Sequence, residues 1–435
     1  MMHFEIAPAA ELVINKLESA GRKAYIAGGT VRELLMDEFP VSYIIVTDSS
    51  REKIKQMFRK RIDDYNKKNC ITAIENKTAF DIFYPSEAED ADTAIASLLS
   101  KFDFTINAIA YNPKNGLYDP FDGVRCIREK IIRFTDLSQS VLTDKPVRML
   151  RAVRYSAQLG FEIENETAQL IKKCSMLIKR AASGKIREEI DKILMSDNPG
   201  VFMKLHELGL LRYILPELDV CFYSPQKNKY HIYNVGEHIV NAVVNSQKDL
   251  VVRWAALLHD IGKPECKSVD SNGIIHFYGH HRESVRLAGE IMRRLKMDAQ
   301  LSNDILILIE NHDVRIDATL LSVKRMMSRT GARLFEKLLA LQEADNRAKN
   351  HKYLPDKLNK INDVKKIYQK ILAERHPYKV NDLAVNGRDL NKLGFRPGHE
   401  IGDTLQTLLE EVFIDPALNN REYLLMRAKQ NRRKK

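Results

Sequence analysis

The sequence predicts a multidomain α+β chain: a small α/β head ending near residue 135, followed by segments that are almost wholly helical. Two patterns carry this. Up to about residue 83, short β-branched runs alternate with helical ones; beyond residue 137, apolar residues recur at helical spacing, with short breaks at Gly160, Gly184 and Pro199-Gly200. A third observation marks out part of the helical region. Seven of the 12 histidines fall between His231 and His312, around the run Leu257-Leu258-His259-Asp260-Ile261-Gly262-Lys263.

The head is read element by element. Pro8 suits a first helical turn, and Ala9, Leu12, Val13, Leu17 and Ala20 recur at helical spacing, so a helix is expected over 8–22. Ala24 to Ala27 is a short strand, and Gly28-Gly29 turns into a helix carrying Val31, Arg32, Leu34 and Leu35. Ser42 to Thr47 is a β-branched strand, followed by a basic helix over Arg51 to Arg61. Thr72 to Phe83 reads as a hairpin with its turn near Asn76-Lys77. Further on, Pro216 and Pro225 mark a loop before the histidines, Pro355 and Pro377 bracket a linker helix, and Val380 to Arg427 forms a compact tail.

With 435 residues, 44% of them hydrophobic, the chain can fill two to four cores. A net charge of +11 suits a polyanionic partner such as RNA or DNA. Cys70, Cys126, Cys174, Cys221 and Cys266 are scattered and include no CxxC pair, which argues against a disulfide framework and a cysteine zinc site. His3, Glu5 and Pro8 interrupt any signal-peptide core, and no apolar run approaches the ~18 residues a membrane span requires. A cytoplasmic protein without a membrane partner is expected.

Ile26-Ala27-Gly28-Gly29-Thr30-Val31-Arg32-Glu33-Leu34-Leu35 resembles the opening of the class II tRNA nucleotidyltransferase (CCA-adding enzyme) and bacterial poly(A) polymerase family. Gly28-Gly29 would let backbone amides approach a triphosphate, and Arg32 would add charge. Asp103-Phe104-Thr105-Ile106-Asn107-Ala108, Tyr118-Asp119-Pro120-Phe121-Asp122-Gly123 and Arg148 to Tyr155 with Leu159-Gly160-Phe161 resemble later motifs of that family. So do Ile186-Arg187-Glu188-Glu189, Gly387-Arg388-Asp389-Leu390 and Pro397 to Gly402, and the resemblance spans almost the whole chain. It implies tRNA and nucleotides as partners, with Gly28, Gly29, Arg32, Asp103, Arg148, Arg151 and Arg154 as nucleotide-binding positions.

The departures from the pattern matter equally. Counted from Gly29, the family's two metal-binding aspartates fall on Ser42 and Ile44, whose side chains cannot hold the Mg²⁺ pair of nucleotidyl transfer. Asp48 shares their strand face but lies roughly 13 Å further along at ~3.3 Å per residue, and Asp81 alone does not hold two metals. The family's base-reading ED-x-x-R appears as Asp144-Lys145-Pro146-Val147-Arg148, with a reversed charge at its second position. Nucleotide addition is therefore expected to be slowed by roughly a thousandfold or more.

His238, His259-Asp260, His280, His312 and Asp345 resemble, in their order, the HD family of metal-dependent phosphohydrolases. That resemblance implies metal ligation by His238, His259, Asp260 and Asp345, with His280 and His312 at a second metal or at phosphate. Imidazole and carboxylate together suit Mn, Fe, Co, Ni or Zn, and such an ion would activate water against a phosphoester. His259, Asp260 and Lys263 are the expected catalytic residues, and Lys263 and Arg347 could neutralise phosphate. His276 and His281 are read as bystanders, and His231 as the position before the first ligand helix.

Arg148, Arg151 and Arg154 recur every three residues, placing three cations on one helical face suited to phosphates. Lys53, Lys55, Arg59, Lys60 and Arg61 read as a solvated face, and the helix beginning within Pro397–Gly402 offers free amides to an RNA phosphate. The expected domains are a degenerate nucleotidyltransferase-like head over 1–135, a helical tRNA- or nucleotide-binding neck over 136–205, an HD domain over 206–350, and a helical linker with an RNA-binding-like tail over 351–435. The function expected is metal-dependent phosphohydrolysis (phosphatase or cyclic phosphodiesterase) on RNA ends or nucleotides. The alternatives are an active CCA- or A-adding enzyme and a non-catalytic tRNA-binding protein.

Overall fold

Gly21 decides where the first element stops. Its φ of +72° is left-handed, its N–H donates to Glu18 O at 2.8 Å, and Arg22 N–H donates to Leu17 O at 3.2 Å. The helix Pro8–Ser19 is thereby closed three residues short of the expectation. The computed structural model describes all residues except 1–3, 59–61, 64–68, 87–89, 227–231, 351, 353 and 434–435. His231, Arg59, Lys60 and Arg61 therefore lie outside the described residues.

The chain is mixed α+β, as expected, and divides into two units: Met1–Ala182 with Leu208–Leu210, and Ser183–Glu207 with Leu211–Lys435. The first is built on a seven-stranded sheet. Its strands are β1 (Ala24–Ala27), β2 (Tyr43–Thr47), β3 (Ile62–Asp63), β4 (Cys70–Glu75), β5 (Thr78–Phe83), β6 (Ala110–Asn112) and β7 (Gly116–Tyr118), in the order β3-β4-β5-β2-β1-β6-β7. β2 and β5 run parallel, with Ile44 opposite Asp81; β1 and β2 are antiparallel, with Ala27 opposite Ile44. The β4–β5 turn falls on Asn76 and Lys77, both at positive φ (47° and 66°), as a tight two-residue hairpin requires.

Alternation along β2 sorts its side chains between two faces. Ile45 packs with Ile26, Ile71, Phe80 and Tyr111 beneath Val13 and Leu17 of the first helix. Val46 faces Ala27, Ala110 and the helix Ala91–Ser100 through Ile95, Leu98 and Leu99, with Ile44, Phe83 and Phe102 at the margin.

The second unit is helical apart from a small hairpin, Ser268–Val269 with Ile275–His276. The helices Val235–Val244, Leu250–Leu258, His280–Arg294, Ala299–Asn311 and Ala332–Arg347 bury an apolar core that includes Trp254, whose indole N–H donates to Asp191 at 2.7 Å. Each fully buried Leu or Ile there contributes about 1.5–3 kcal/mol relative to exposure. The tail has its own core of Leu390, Leu408, Leu409, Val412, Phe413 and Leu424. Among the described residues, no helix is long and apolar enough to cross a membrane.

Candidate metal centre

Five helix ends converge in the second unit. His238 rides on Val235–Val244, whose start is fixed by a reciprocal capping box between Asn234 and Glu237. His259 and Asp260 follow Leu250–Leu258, which Asp249 caps by accepting from Val252 N–H. His280 opens His280–Arg294, His312 directly follows Ala299–Asn311, and Asp345 lies in the last turn of Ala332–Arg347. Gly262 lets two of these ends meet. A Cβ there would stand 2.6 Å from Ser284 N and 2.7 Å from His280 O, and Gly262 N–H instead donates to Ser284 Oγ at 3.0 Å.

All six expected ligands come together. His238 Nε2 lies 3.3 Å from Asp260 Oδ2 and 3.1 Å from Asp345 Oδ1; His259 Nε2 lies 3.1 and 3.6 Å from the same two atoms. His280 Nε2 and His312 Nε2 approach the other oxygen, Asp260 Oδ1, at 3.2 and 3.7 Å. Ligands held about 2.1 Å from one ion stand roughly 3.0 to 4.2 Å apart, and these separations fall in that range. The donor atoms thus form two groups sharing Asp260: His238, His259, Asp260 and Asp345, and Asp260, His280 and His312.

A further observation supports the fit to a cation. In all four histidines Nδ1 faces a backbone carbonyl: Ala348 O at 3.3 Å for His238, Ala256 O at 2.8 Å for His259, Phe277 O at 2.9 Å for His280 and Ile309 O at 2.7 Å for His312. A carbonyl only accepts, so these contacts put a proton on Nδ1 and turn Nε2 towards the carboxylates, where it can take a cation or a second proton. His259 Nε2 and Asp345 Oδ1 are buried without a hydrogen-bond partner. Buried polar atoms are ordinarily satisfied, and a shared cation would satisfy both.

Lysines complete the charge balance. Lys263 Nζ lies 2.6 Å from Asp260 Oδ2 and donates to Gln226 Oε1 at 2.8 Å; Lys349 pairs with Asp345 Oδ2 at 2.5 Å. Burial opposes ionisation of Asp260, but His259 and Lys263 outweigh it and hold its carboxyl well below the usual range; Lys349 acts likewise on Asp345. Burial alone would lower His259, yet Asp260 and Asp345 hold it up at about 9. The carboxylates therefore demand positive charge at the point where the Nε2 atoms converge, and a proton and a dication are alternative ways to supply it. Burial and the neighbouring His259 keep His312 low.

The centre forms the floor of a cleft of about 380 Å³, walled by Phe277, Tyr278, His280, Asp313, Lys263 and Lys349 among others. His276 and His281 also line it. Lys349 was missed in the sequence, although its place four residues after Asp345 on one helix is a readable pairing signal; Gln226 carried no such signal. Arg347 instead pairs with Glu343 at 2.8 Å.

The head positions are arranged differently. Gly28 (φ +74°) leaves no room for a side chain: a Cβ would stand 2.9 Å from Ile44 Cδ1 and 3.0 Å from Phe102 Cε1. Ser42 is exposed, and its carbonyl accepts from Thr30 Oγ1 at 2.8 Å. Asp81 accepts from Thr72 Oγ1 at 2.5 Å. Asp48 sits at the opposite end of β2, accepting from Lys23 N–H at 2.8 Å. Among the described residues, no group of three or more potential metal ligands forms in this unit.

The cations expected to meet phosphate have partners within the protein. Arg148, Arg151 and Arg154 do share a helix face, but Arg148 Nε donates to Asp103 at 2.5 Å and Arg151 pairs with the other oxygen of the same carboxylate. Arg154 lies over the Tyr155 ring at 4.0 Å and donates to Gln158 at 2.7 Å. Arg32 turns inward onto Asn107 (2.5 Å) and Glu33 (2.9 Å) rather than outward as a free charge.

The fold is a small mixed sheet followed by a helical continuation. Family models that match the sequence place it among nucleotidyltransferase-type proteins: "Poly A polymerase head domain" over residues 24–133, "Probable RNA and SrmB- binding site of polymerase A" over 160–222, and "tRNA nucleotidyltransferase domain 2 putative" over 278–428, which includes His280, His312 and Asp345. The A-adding tRNA nucleotidyltransferase of Deinococcus radiodurans is 30% identical over 325 residues, 72% of this chain and 74% of its own. The Multifunctional CCA protein of Azoarcus sp. is 27% identical over 326 residues, 70% of this chain and 77% of its own. The Bacillus stearothermophilus CCA-adding enzyme, solved with CTP, shares the fold at TM-score 0.72 and 20% identity over 99% of both chains. The Thermotoga maritima CCA-adding enzyme, solved with tRNA, does so at TM-score 0.62 and 21% identity over 99% of this chain and 100% of its own. The chain belongs to the tRNA nucleotidyltransferase family.

Proposed function

We propose that this member of the family acts on tRNA 3′ ends, or on nucleotides derived from them, through metal-dependent phosphoester hydrolysis at the His259-Asp260 centre. The observation that carries this is the four imidazoles whose Nδ1 atoms are tied to carbonyls, so that every Nε2 faces Asp260 or Asp345. His238, His259, Asp260 and Asp345 would hold the ion, with His280 and His312 at a second ion or at phosphate; Mn, Fe, Co, Ni or Zn fits the donor set. Such an ion supplies Lewis-acid activation of water and of a phosphoryl oxygen. Lys263 and Lys349 neutralise the two carboxylates, so a bound dication leaves the cleft net positive and suited to a phosphate dianion. Lys263 also fixes the Asp260 carboxylate against Gln226.

In this proposal the head, with Ser42 and Ile44 where the family pattern has aspartates, has lost nucleotide addition and serves to dock tRNA, together with the helical neck and tail. The four-segment division 1–135, 136–205, 206–350 and 351–435 belongs to the same reading.

A second reading has its own support. The relatives and the solved structures bear the names of A-adding, CCA and CCA-adding proteins, and these comparisons speak for nucleotide addition by this chain more than for hydrolysis. One pair of assays separates the readings. Metal analysis and hydrolysis of a chromogenic phosphodiester, with His259→Ala as control, tests the centre. Incubation of tRNA lacking its 3′ end with labelled ATP or CTP tests the head, and strong incorporation would overturn the proposed loss. Binding of tRNA with neither activity leaves a non-catalytic tRNA-binding protein.

A further inference from the structure

At the rim of the cleft, two rings are held in a stack. His276 and Tyr278 lie with centroids 5.1 Å apart and planes 8° from parallel. The Tyr278 hydroxyl is 3.3 Å from His276 Nδ1, and His276 Nε2 is 2.9 Å from Asp270 Oδ2. Asp270 is pinned in turn, because its other oxygen accepts from Asn272 and Ile274 N–H at 2.9 Å each. The two strands bring Ser268 opposite His276, so the hairpin turn, the histidine and the tyrosine form one braced unit.

Tyr278 is nevertheless 76% exposed. His276 lies parallel to its ring and offset from it, so at least one face of the ring is open to water. Val269 and Ile274 of the same hairpin are exposed as well, at 60% and 43%. Of these three, Tyr278 is the one that lines the cleft. Tyr278 stands two residues before His280, at most about 7 Å along the chain, and both line the cleft. A simple phosphoester with no ring to lay on it would engage the charged floor and leave this ring bare.

We propose that the free face of Tyr278, backed by His276, is a base-stacking platform, the contact by which the centre holds the nucleotide whose phosphate it engages. This rests on the hydrolytic reading above for its chemistry, though not for its binding contact. Stacking tolerates any base because every base has a π-face, so the platform would grip the terminal nucleotide of an RNA or a free nucleotide without choosing its identity. His276 then acts as a positioning residue behind Tyr278, not as a bystander.

The test compares a base-bearing with a base-free substrate, 2′,3′-cyclic AMP against glycerol 1,2-cyclic phosphate, in the full-length metal-loaded protein. Tyr278→Ala should lower the kcat/KM ratio of the first to the second by about 10- to 100-fold, and Tyr278→Phe should restore it. A short RNA ending in a cyclic phosphate, run in parallel, reports whether RNA ends use the platform as free nucleotides do. An unchanged ratio, or a Phe variant as impaired as Ala, overturns the proposal. Should the wild type hydrolyse neither substrate, the hydrolytic reading fails by itself. Equilibrium dialysis of labelled AMP then decides: weaker binding to Tyr278→Ala, rescued by Phe, upholds the platform, and equal binding removes it.

Discussion

Asp345 carries two loads that a pair of substitutions can separate. Its Oδ1 faces His238 Nε2 and His259 Nε2, while its Oδ2 holds Lys349. Asp345→Asn keeps the shape but removes the charge, leaving a mostly buried ammonium without its anion. Truncating a buried pair in this way costs roughly 3 kcal/mol. Metal then tells the two roles apart. At a free ion concentration 100 times its Kd, a bound dication stabilises the wild type by about 2.7 kcal/mol; if loss of the anionic ligand weakens affinity about 100-fold, the same concentration adds only about 0.4 kcal/mol. For the helical unit of roughly 250 residues, a gain of 2.7 kcal/mol is a rise in Tm of about 5–11 °C. Trp254 is the chain's single tryptophan and is buried in that unit, so its fluorescence follows the relevant transition with and without Mn²⁺ or Ni²⁺. Asp345→Asn combined with Lys349→Met should recover most of the apo stability and none of the metal shift. A metal-induced rise in Asp345→Asn equal to that of the wild type would refute the assignment of Asp345 as a ligand.

Gly262→Ala should cost about 1–3 kcal/mol by overpacking, because its Cβ meets backbone atoms rather than a flexible side chain. It should also weaken metal binding by displacing His280, which titration with Mn²⁺ would read; a variant with unaltered affinity would show that the close approach is dispensable. Asp249 both caps a helix and pairs with Lys337. Burial acts to raise its pKa, and the Lys337 and Val252 hydrogen bonds outweigh it, so its folded pKa lies below the ordinary value. Its stabilisation is therefore present above the unfolded pKa and lost as pH falls through the folded one. Denaturant midpoints from pH 7 to pH 3 should fall less steeply for Asp249→Asn than for wild type, while Asp249→Ala also loses about 1 kcal/mol of capping at pH 7; parallel wild-type and Asn profiles would refute this. In the head, Ser42→Asp with Ile44→Asp should introduce Mg²⁺-dependent CTP binding measurable by calorimetry, and its absence would show that more than two carboxylates is missing.

The sequence exposed the centre because one part of it is local. His259 and Asp260 are adjacent after an apolar helix, and their partners follow in an order that needs no structure to read. What orients them is not local in that sense. Three of the four Nδ1 contacts run to a carbonyl three residues back, a consequence of backbone geometry at helix ends, and the fourth reaches from His238 to Ala348. The pairing of Arg148 and Arg151 was hidden for the same reason: helical spacing places them on one face, but Asp103, some 45 residues earlier, supplies the counter-charge. β6 and β7 escaped notice because three residues are too few to display a period of two. The hairpin bearing His276 was hidden by its two-residue strands.

On the proposed reading, the exchange of acids for Ser42 and Ile44 also explains how the head keeps its fold. β2 and β5 pair so that Ile44 lies opposite Asp81. A carboxylate at 44 would face a second one across adjacent strands, and like charges directly opposite destabilise a sheet unless a cation lies between them. Ile44 removes that repulsion and packs onto Gly28 and beside the Val46 cluster. The residues that build the two cores, Ile26, Ile45, Val46 and Phe80 among them, are buried, with Ile44 only at the margin of one core and Ser42 exposed. Catalytic carboxylates are a common case of stability sacrificed to activity, so their replacement yields a head that stands without metal and still presents a family frame to tRNA. The helical centre has kept the opposite arrangement: its paired carboxylates persist because Lys263 and Lys349 offset them, and a buried acid so balanced is costly to lose.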